Sequence, residues 1–150
     1  MASGTEIAYA TAAAMIDGPF NTLLNGGVGN AVIAIYTGAP PADCETAPTG
    51  TLLGVCQMNA TPFGAAANQN PGAQIAANAI SDDSSADTTG VAGYFRATIS
   101  ADGVTPDNAA VIQGTAGEAA DSTDLTLDDK NIVVGGTISI TGWTIFQPES

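Results

Sequence analysis

Few side chains in this chain could do chemistry. There are 15 carboxylates, 2 cations, 2 thiols and no His. Without imidazole there is no His general base, no Ser-His-Asp relay and no imidazole metal ligand. Lys130, the only Lys, lies in the turn Asp128-Asp129-Lys130-Asn131. Adjacent carboxylates favour its charged form, so a Ser-Lys mechanism is a poor fit. The neighbouring pairs Asp82/Asp83 and Asp128/Asp129 point in different directions, whereas glycosidase carboxylates come from separate elements at a set distance. Both pairs read as solvated turn residues. Asp82, Asp83 and Asp87 share one polar loop of the kind that offers oxygen ligands to Ca²⁺. Their spacing does not match an EF-hand, so no metal is expected there.

Two further groups need the elements around them. Arg96 sits in a strong strand beside Tyr94. It reads as a structural cation that satisfies an acidic neighbour or covers the sheet with its stem. The alternative is a contact to a partner subunit. Cys44 and Cys56 could bridge a long loop in an oxidising medium, or be two small buried thiols. The sequence leaves both open, and no CxxC pattern is present. Gly26, Gly27 and Gly29 lack the preceding strand and following Lys of a phosphate-binding loop. No catalytic, cofactor-binding or metal residues are expected, and the chain does not read as an enzyme.

The net charge of -13 coexists with 45% hydrophobic residues, which separates this chain from acidic disordered segments. Arg96 and Lys130 are too few cations for a phosphate backbone or an anionic bilayer, so neither nucleic acid nor membrane is an expected partner. The apolar run from Ile7 to Ile16 is too short to span a bilayer and lacks a basic leader before it.

Residues 1–30 read as a helical segment packing on a β domain of residues 31–150, one structural unit overall. Ser3-Gly4-Thr5-Glu6 fits a capping box, followed by an Ala-rich helix that Gly18-Pro19 interrupts. Asp17 should cap a second helix with Phe20, Leu23 and Leu24 on one face and Asn25-Gly26-Gly27 at its end. Ala31 to Tyr36 is apolar on both faces and should be a central strand. Thr51–Met58, Ile75–Ile80, Val91–Ile99, Ala110–Gly114 and Asp124–Leu127 read as further strands. In the second of these six, Leu53 and Val55 should share one side; in the fourth, Val91 should lie with Phe95 and Ala97. Residues 65–74 and 81–89 read as loops, the latter exposed.

The C-terminal run positions the only Trp. Gly135-Gly136 turns into a strand in which Ile138 and Ile140 alternate with polar residues. The apolar parity changes after Gly142, which predicts a β-bulge there and puts Ile138, Ile140, Trp143 and Ile145 on one core face. About seven strands separated by turn signals predict an antiparallel β-sandwich with an N-terminal helical segment.

Several motifs in this order resemble a family of small tailed-phage and prophage virion proteins. They are Ile35-Tyr36-Thr37-Gly38-Ala39-Pro40-Pro41, Thr49-Gly50-Thr51-Leu52-Leu53 and Pro62-Phe63-Gly64-Ala65-Ala66. Thr89-Gly90-Val91-Ala92-Gly93-Tyr94-Phe95-Arg96, Val111-Ile112-Gln113-Gly114 and Asp124-Leu125 follow, then Ile132-Val133-Val134-Gly135-Gly136-Thr137-Ile138-Ser139-Ile140. The resemblance spans most of the chain. Gly18-Pro19 departs from the family's continuous helix, and the cysteine pair is peculiar to this sequence. The resemblance implies a virion structural protein and carries over no catalytic residue. The decoration (cement) role on the head follows by analogy, with the major capsid protein as partner and a trimer or dimer as the oligomer. Such a protein would sit on the capsid surface of virions assembled in the bacterial cytoplasm. The alternatives are a tail-associated or head–tail connector component, and a glycan-binding surface module that would expose Trp143 and Tyr94.

Overall fold

The strand read as central, β1 (Val32–Thr37), lies between β2 (Leu52–Gln57) and β5 (Gly90–Thr98), antiparallel to both. Its residues from Val32 to Tyr36 are buried, because side chains of both parities meet apolar or covered surroundings. Fully burying Ile33 or Ile35 contributes about 1.5–3 kcal/mol each. The structure, a computed structural model, describes residues 8–24, 31–69 and 71–148.

The remaining strands are β3 (Ala67–Asn68), β4 (Ala73–Ala76), β6 (Ile112–Gly117), β7 (Leu125–Leu127), β8 (Asn131–Ile132) and β9 (Ile140–Gln147). The order across the sheet is β2-β1-β5-β6-β7-β9-β4-β3, with β8 paired to β5. The chain is mainly β, as expected, and its strands form one curled mixed sheet. The expected all-antiparallel pairing fails at one place, where β6 and β7 run parallel. After Gly117 the chain doubles back through a 3-10 turn at Ala119–Asp121 before entering β7 in the same direction as β6. The acidic stretch between the two strands therefore makes a crossover and not a hairpin.

Residues 73–87 complete the curl. On one side β4 pairs with β9, and the path continues through Ala77 N–H to Trp143 O, a double bond exchange between Asp83 and Ile138, and Ala86 N–H to Gly136 O. On the other side Gly64 donates to Ala76 O, Ser81 to Gln57 O and Asp87 to Leu53 O. The outer edge of β2 is thus covered, which removes an exposed row of unpaired backbone groups. This corrects one sequence expectation, since part of 65–74 forms the β3–β4 hairpin. Residues 81–89 hold no named strand and are mostly exposed, as expected, but their backbone forms a seam with Ala86 buried. The β4 pairing also starts and ends earlier than the predicted Ile75–Ile80 strand.

Two bulges face β1 at one end. Ile35 pairs with Gly54 and Tyr36 with Leu52, leaving Leu53 extra; Tyr36 pairs with Tyr94 and Thr37 with Ala92, leaving Gly93 extra. Each extra residue switches the side-chain parity. Leu53 therefore joins Cys56 in the main core, while Leu52 and Val55 pack on Ala34, Tyr36 and Tyr94. Ala92 turns inward with Phe95 and Ala97, and Val91 turns out to solvent, opposite to the alternation read from the sequence. Gly93 is required for space, because a Cβ there would stand 2.0 Å from Gly38 O. In β9 a bulge is present one residue before the predicted Gly142. Thr126 pairs with Gly142 and Leu127 with Ile140, so Thr141 is the extra residue. Ile138 and Trp143 are buried as predicted, and Ile140 and Ile145 pack half-buried against the same core.

The helices are α1 (Tyr9–Ile16) and α2 (Pro19–Leu24), separated at Gly18, whose φ of +99° only glycine adopts freely. The Ser3–Glu6 capping box and the Asn25-Gly26-Gly27 stop lie outside the described residues; α1 as described has Ala8 at its N-cap. Helix α1 packs on β3, β4 and β9 and buries Ala12 and Ile16. The Asp17 carboxylate accepts from Ala66 N–H at 3.1 Å, tying the helical pair to the β3 loop instead of capping α2. In α2, Leu24 is buried and Phe20 packs on the core, but Leu23 is exposed.

Candidate functional site

The groups that could do chemistry are spread across the fold and serve it locally. Lys130 donates to Asp121 at 2.8 Å. This contact holds the Asp121 carboxyl below its ordinary range and raises the Lys130 ammonium above its own. Asp83 accepts from Val55 N–H and Ser85 N–H, each at 3.0 Å, while Asp82 accepts from Ser139 Oγ at 2.8 Å. Asp87 contributes its backbone N–H to Leu53 O. Among the described residues no three carboxylate, thiol or imidazole groups converge as a cation site. Asp129 accepts from Asn131 N–H and Nδ2, which makes the turn into β8. Asp102 gathers Ser100 Oγ, both donors of Thr105 and the N–H of Val104, and these bonds lower its pKa strongly.

Cys44 and Cys56 are separate free thiols. Cys56 faces the main core, where burial pushes its pKa up to about 12. Cys44 belongs to residues 38–50, which cross the opposite face of the sheet.

That crossing explains Arg96. Tyr94 and Arg96 project from the face of β5 away from Phe95 and Ala97, and both are buried. Arg96 Nη1 donates to Thr46 O at 2.7 Å, and Nη2 donates to Cys44 O. The Tyr94 hydroxyl donates to Thr49 O and accepts from Thr49 N–H. Gln113 Nε2 on β6 donates to Pro41 O at 2.9 Å. Residues 38–50 are therefore a strap held down by three side chains. The expectation of a structural cation gains a different partner, since Arg96 binds main-chain carbonyls and no carboxylate. Tyr36 stacks on Tyr94 with centroids 5.0 Å apart, and burial raises the Tyr36 pKa. The sequence carried a weak sign of this strap in one Arg and one Tyr on the same face of a strand that is otherwise small and apolar.

Trp143 lies 5.0 Å from both Phe63 and Phe95, edge-on to each. It is 5% exposed and Tyr94 is 0% exposed, so neither presents a ring face to a sugar.

The surface feature that alternation alone did not reveal is a small apolar face at the β5–β8 pair. Val91 pairs with Asn131 and Gly90 with Ile132. Ile132 points into the core, so Val91, Asn131 and Val133 point out. Val91, Val133 and Val134 are 54%, 62% and 59% exposed. Asp87 lies before β5 in the chain and Asp128 and Asp129 before β8, all three exposed. Strand β5 thus displays Val91, and the turn that follows β8 displays Val133 and Val134, in an acidic setting. No protein-family model, curated protein or solved structure matches this chain.

Proposed function

We propose that this chain is a bacteriophage virion structural protein, a decoration (cement) protein that binds the outside of the head and stabilises it. The exposed valines beside the β5–β8 pair carry this reading, because Val91 on β5 and Val133 and Val134 in the turn after β8 leave apolar side chains free for repeated docking on identical sites. The net charge of -13 keeps free copies apart and steers them to basic patches of a major capsid protein. The finer fold reading belongs here too: the two halves of the curled sheet face each other across the core and act as a rigid sandwich-like body. Both cations are engaged, Arg96 under the strap and Lys130 with Asp121, which disfavours phosphate-rich partners. Among the described residues no helix is long and apolar enough to cross a membrane. The working form would be a trimer or dimer on the capsid surface, assembled in the host cytoplasm, with no catalytic role.

The test is copy number in purified particles, followed by rebinding to stripped heads. Roughly hundreds of copies per particle, and heads that melt at higher temperature after rebinding, are expected. A few dozen copies or fewer would move the protein to the tail or head–tail connector. Absence from particles would remove the virion reading. Val133→Asp should abolish rebinding while changing the protein's own stability by about 0.5 kcal/mol or less.

A further inference from the structure

The curled sheet has a gap in its wall. Strand β7 separates β6 from β9 only where Ala116 and Gly117 meet Leu125 and Thr126, and where Leu125 to Leu127 meet Trp143 to Ile140. Earlier in β6 and later in β9, no strand continues the line of β7 among the described residues. Residues 112–114 are paired to β5 on one side, and 144–147 are paired to β4 on one side. Their other edges face each other across a groove of about 320 Å³ lined by Ile112, Gln113, Ile145 and Phe146, with Phe95 and Trp143 at its base. Asp124 stands at the end nearest β7. A second depression, lined by Thr123, Thr126 and Gly142, shares Asp124, Trp143 and Thr144 with the first.

We propose that this groove binds an extended segment of a partner protein, which adds a strand between β6 and β9 and places a Lys or Arg over Asp124. Four observations fix the occupant. Residues 112–114 and 144–147 each have a strand partner on one side only among the described residues, which leaves a second backbone edge on each for an added strand. Residues 112–114 span about 10 Å, the length of three extended residues. Phe146 is 50% exposed beside the groove and would be covered by a side chain of the inserted segment. The charge is complementary because Asp124 has no cation partner among the described residues; its Oδ2 accepts from Thr115 N–H and Oγ1, both at 2.8 Å. The only ion pair among the described residues is Lys130 with Asp121. The proposal does not depend on the head-binding role.

The experiment uses the whole chain and two synthetic seven-residue peptides of alternating Val and Thr, one ending in Lys and one in Glu. Trp143 is the only Trp, so its fluorescence reports the groove directly. Amide exchange at 112–114 and 144–147 reports strand addition independently. The expected result is saturable binding of the Lys peptide, at least about tenfold tighter than the Glu peptide, with slowed exchange at both edges. Asp124→Asn, which keeps the shape of the side chain, should erase that preference, and Phe146→Glu should weaken both peptides. Fluorescence and exchange unchanged by either peptide would overturn the proposal. So would equal binding of the two peptides, or protection of the groove by neutral oligosaccharides in place of peptide. Melting curves of both variants identify any loss that comes from unfolding.

Discussion

The two faces of β5 are built on different physics. One face presents Ala92, Phe95 and Ala97 to the main core, where Phe95 meets the edge of Trp143. The other presents Tyr94 and Arg96, both buried, to a strap of irregular backbone. Apolar packing depends on volume and tolerates exchange among similar shapes. The strap face depends on matching individual donors to individual carbonyls. Each mismatch there leaves a buried polar group unpaired, at a cost of about 1–3 kcal/mol. Arg96 Nε and Gln113 Oε1, on cross-strand neighbours, are already buried without a partner. The polar face is therefore the less forgiving one for its size, and it secures a loop that no regular strand pairing holds.

Substitutions on the two faces separate these contributions. Trp143→Ala removes a ring packed between Phe63 and Phe95 and should cost about 3–5 kcal/mol, read as a lower urea midpoint. Arg96→Met keeps much of the stem but strands the carbonyls of Thr46 and Cys44, with an expected loss of about 2–3 kcal/mol. It should also bring protease cleavage into residues 38–50, which Trp143→Ala should not do below its unfolding transition. If both variants open the strap equally, the two faces are one cooperative unit. Tyr94→Phe removes only the hydroxyl exchange with Thr49 and should cost about 1–2 kcal/mol.

The effect that is smallest at neutral pH concerns the thiols. Cys56 titrates near 12 in the folded chain, above the ordinary thiol value of about 8.5. Its proton is lost first from the unfolded state, so the associated stability is complete below about pH 8.5 and declines as pH rises towards 12. At pH 8 a thiol reagent should label Cys44 in the native protein and reach Cys56 only after denaturation. Rapid native labelling of both would show that the main core opens more readily than its burial indicates.

Several of these features were legible in the residues. The run Ala31 to Tyr36 announced a strand covered on both faces. The helix break at Gly18-Pro19 and the turn at Gly135-Gly136 followed from backbone preferences that glycine and proline carry with them. The burial of Ile138 and Trp143 was readable from period-two alternation interrupted by a parity change. The reading failed where parity is set by a neighbour. Leu53 and Gly93 become bulges because β1 aligns Tyr36 with Leu52 and Tyr94; the strand glycines Gly54 and Gly93 are compatible with a slip but do not fix where it falls. Residues 81–89 read as exposed loop because they are polar, and most are exposed. What the reading missed is that their backbone groups bridge β2 and residues 135–138 ahead of β9, a role that depends on position and not on side-chain hydrophobicity.

By itself the sequence determined a β-rich chain, a strongly acidic exterior, a central apolar strand, and the absence of imidazole chemistry. Composition and local periodicity act over a few residues and need no partner to be read. Only the tertiary structure decided that β6 and β7 run parallel, that Arg96 holds a strap by its carbonyls, and that Val91 and Val133 share an exposed face. It also decided that the wall between β6 and β9 stays open. These depend on pairing between residues far apart in the chain, where one shift of register moves every side chain to the other face of the sheet.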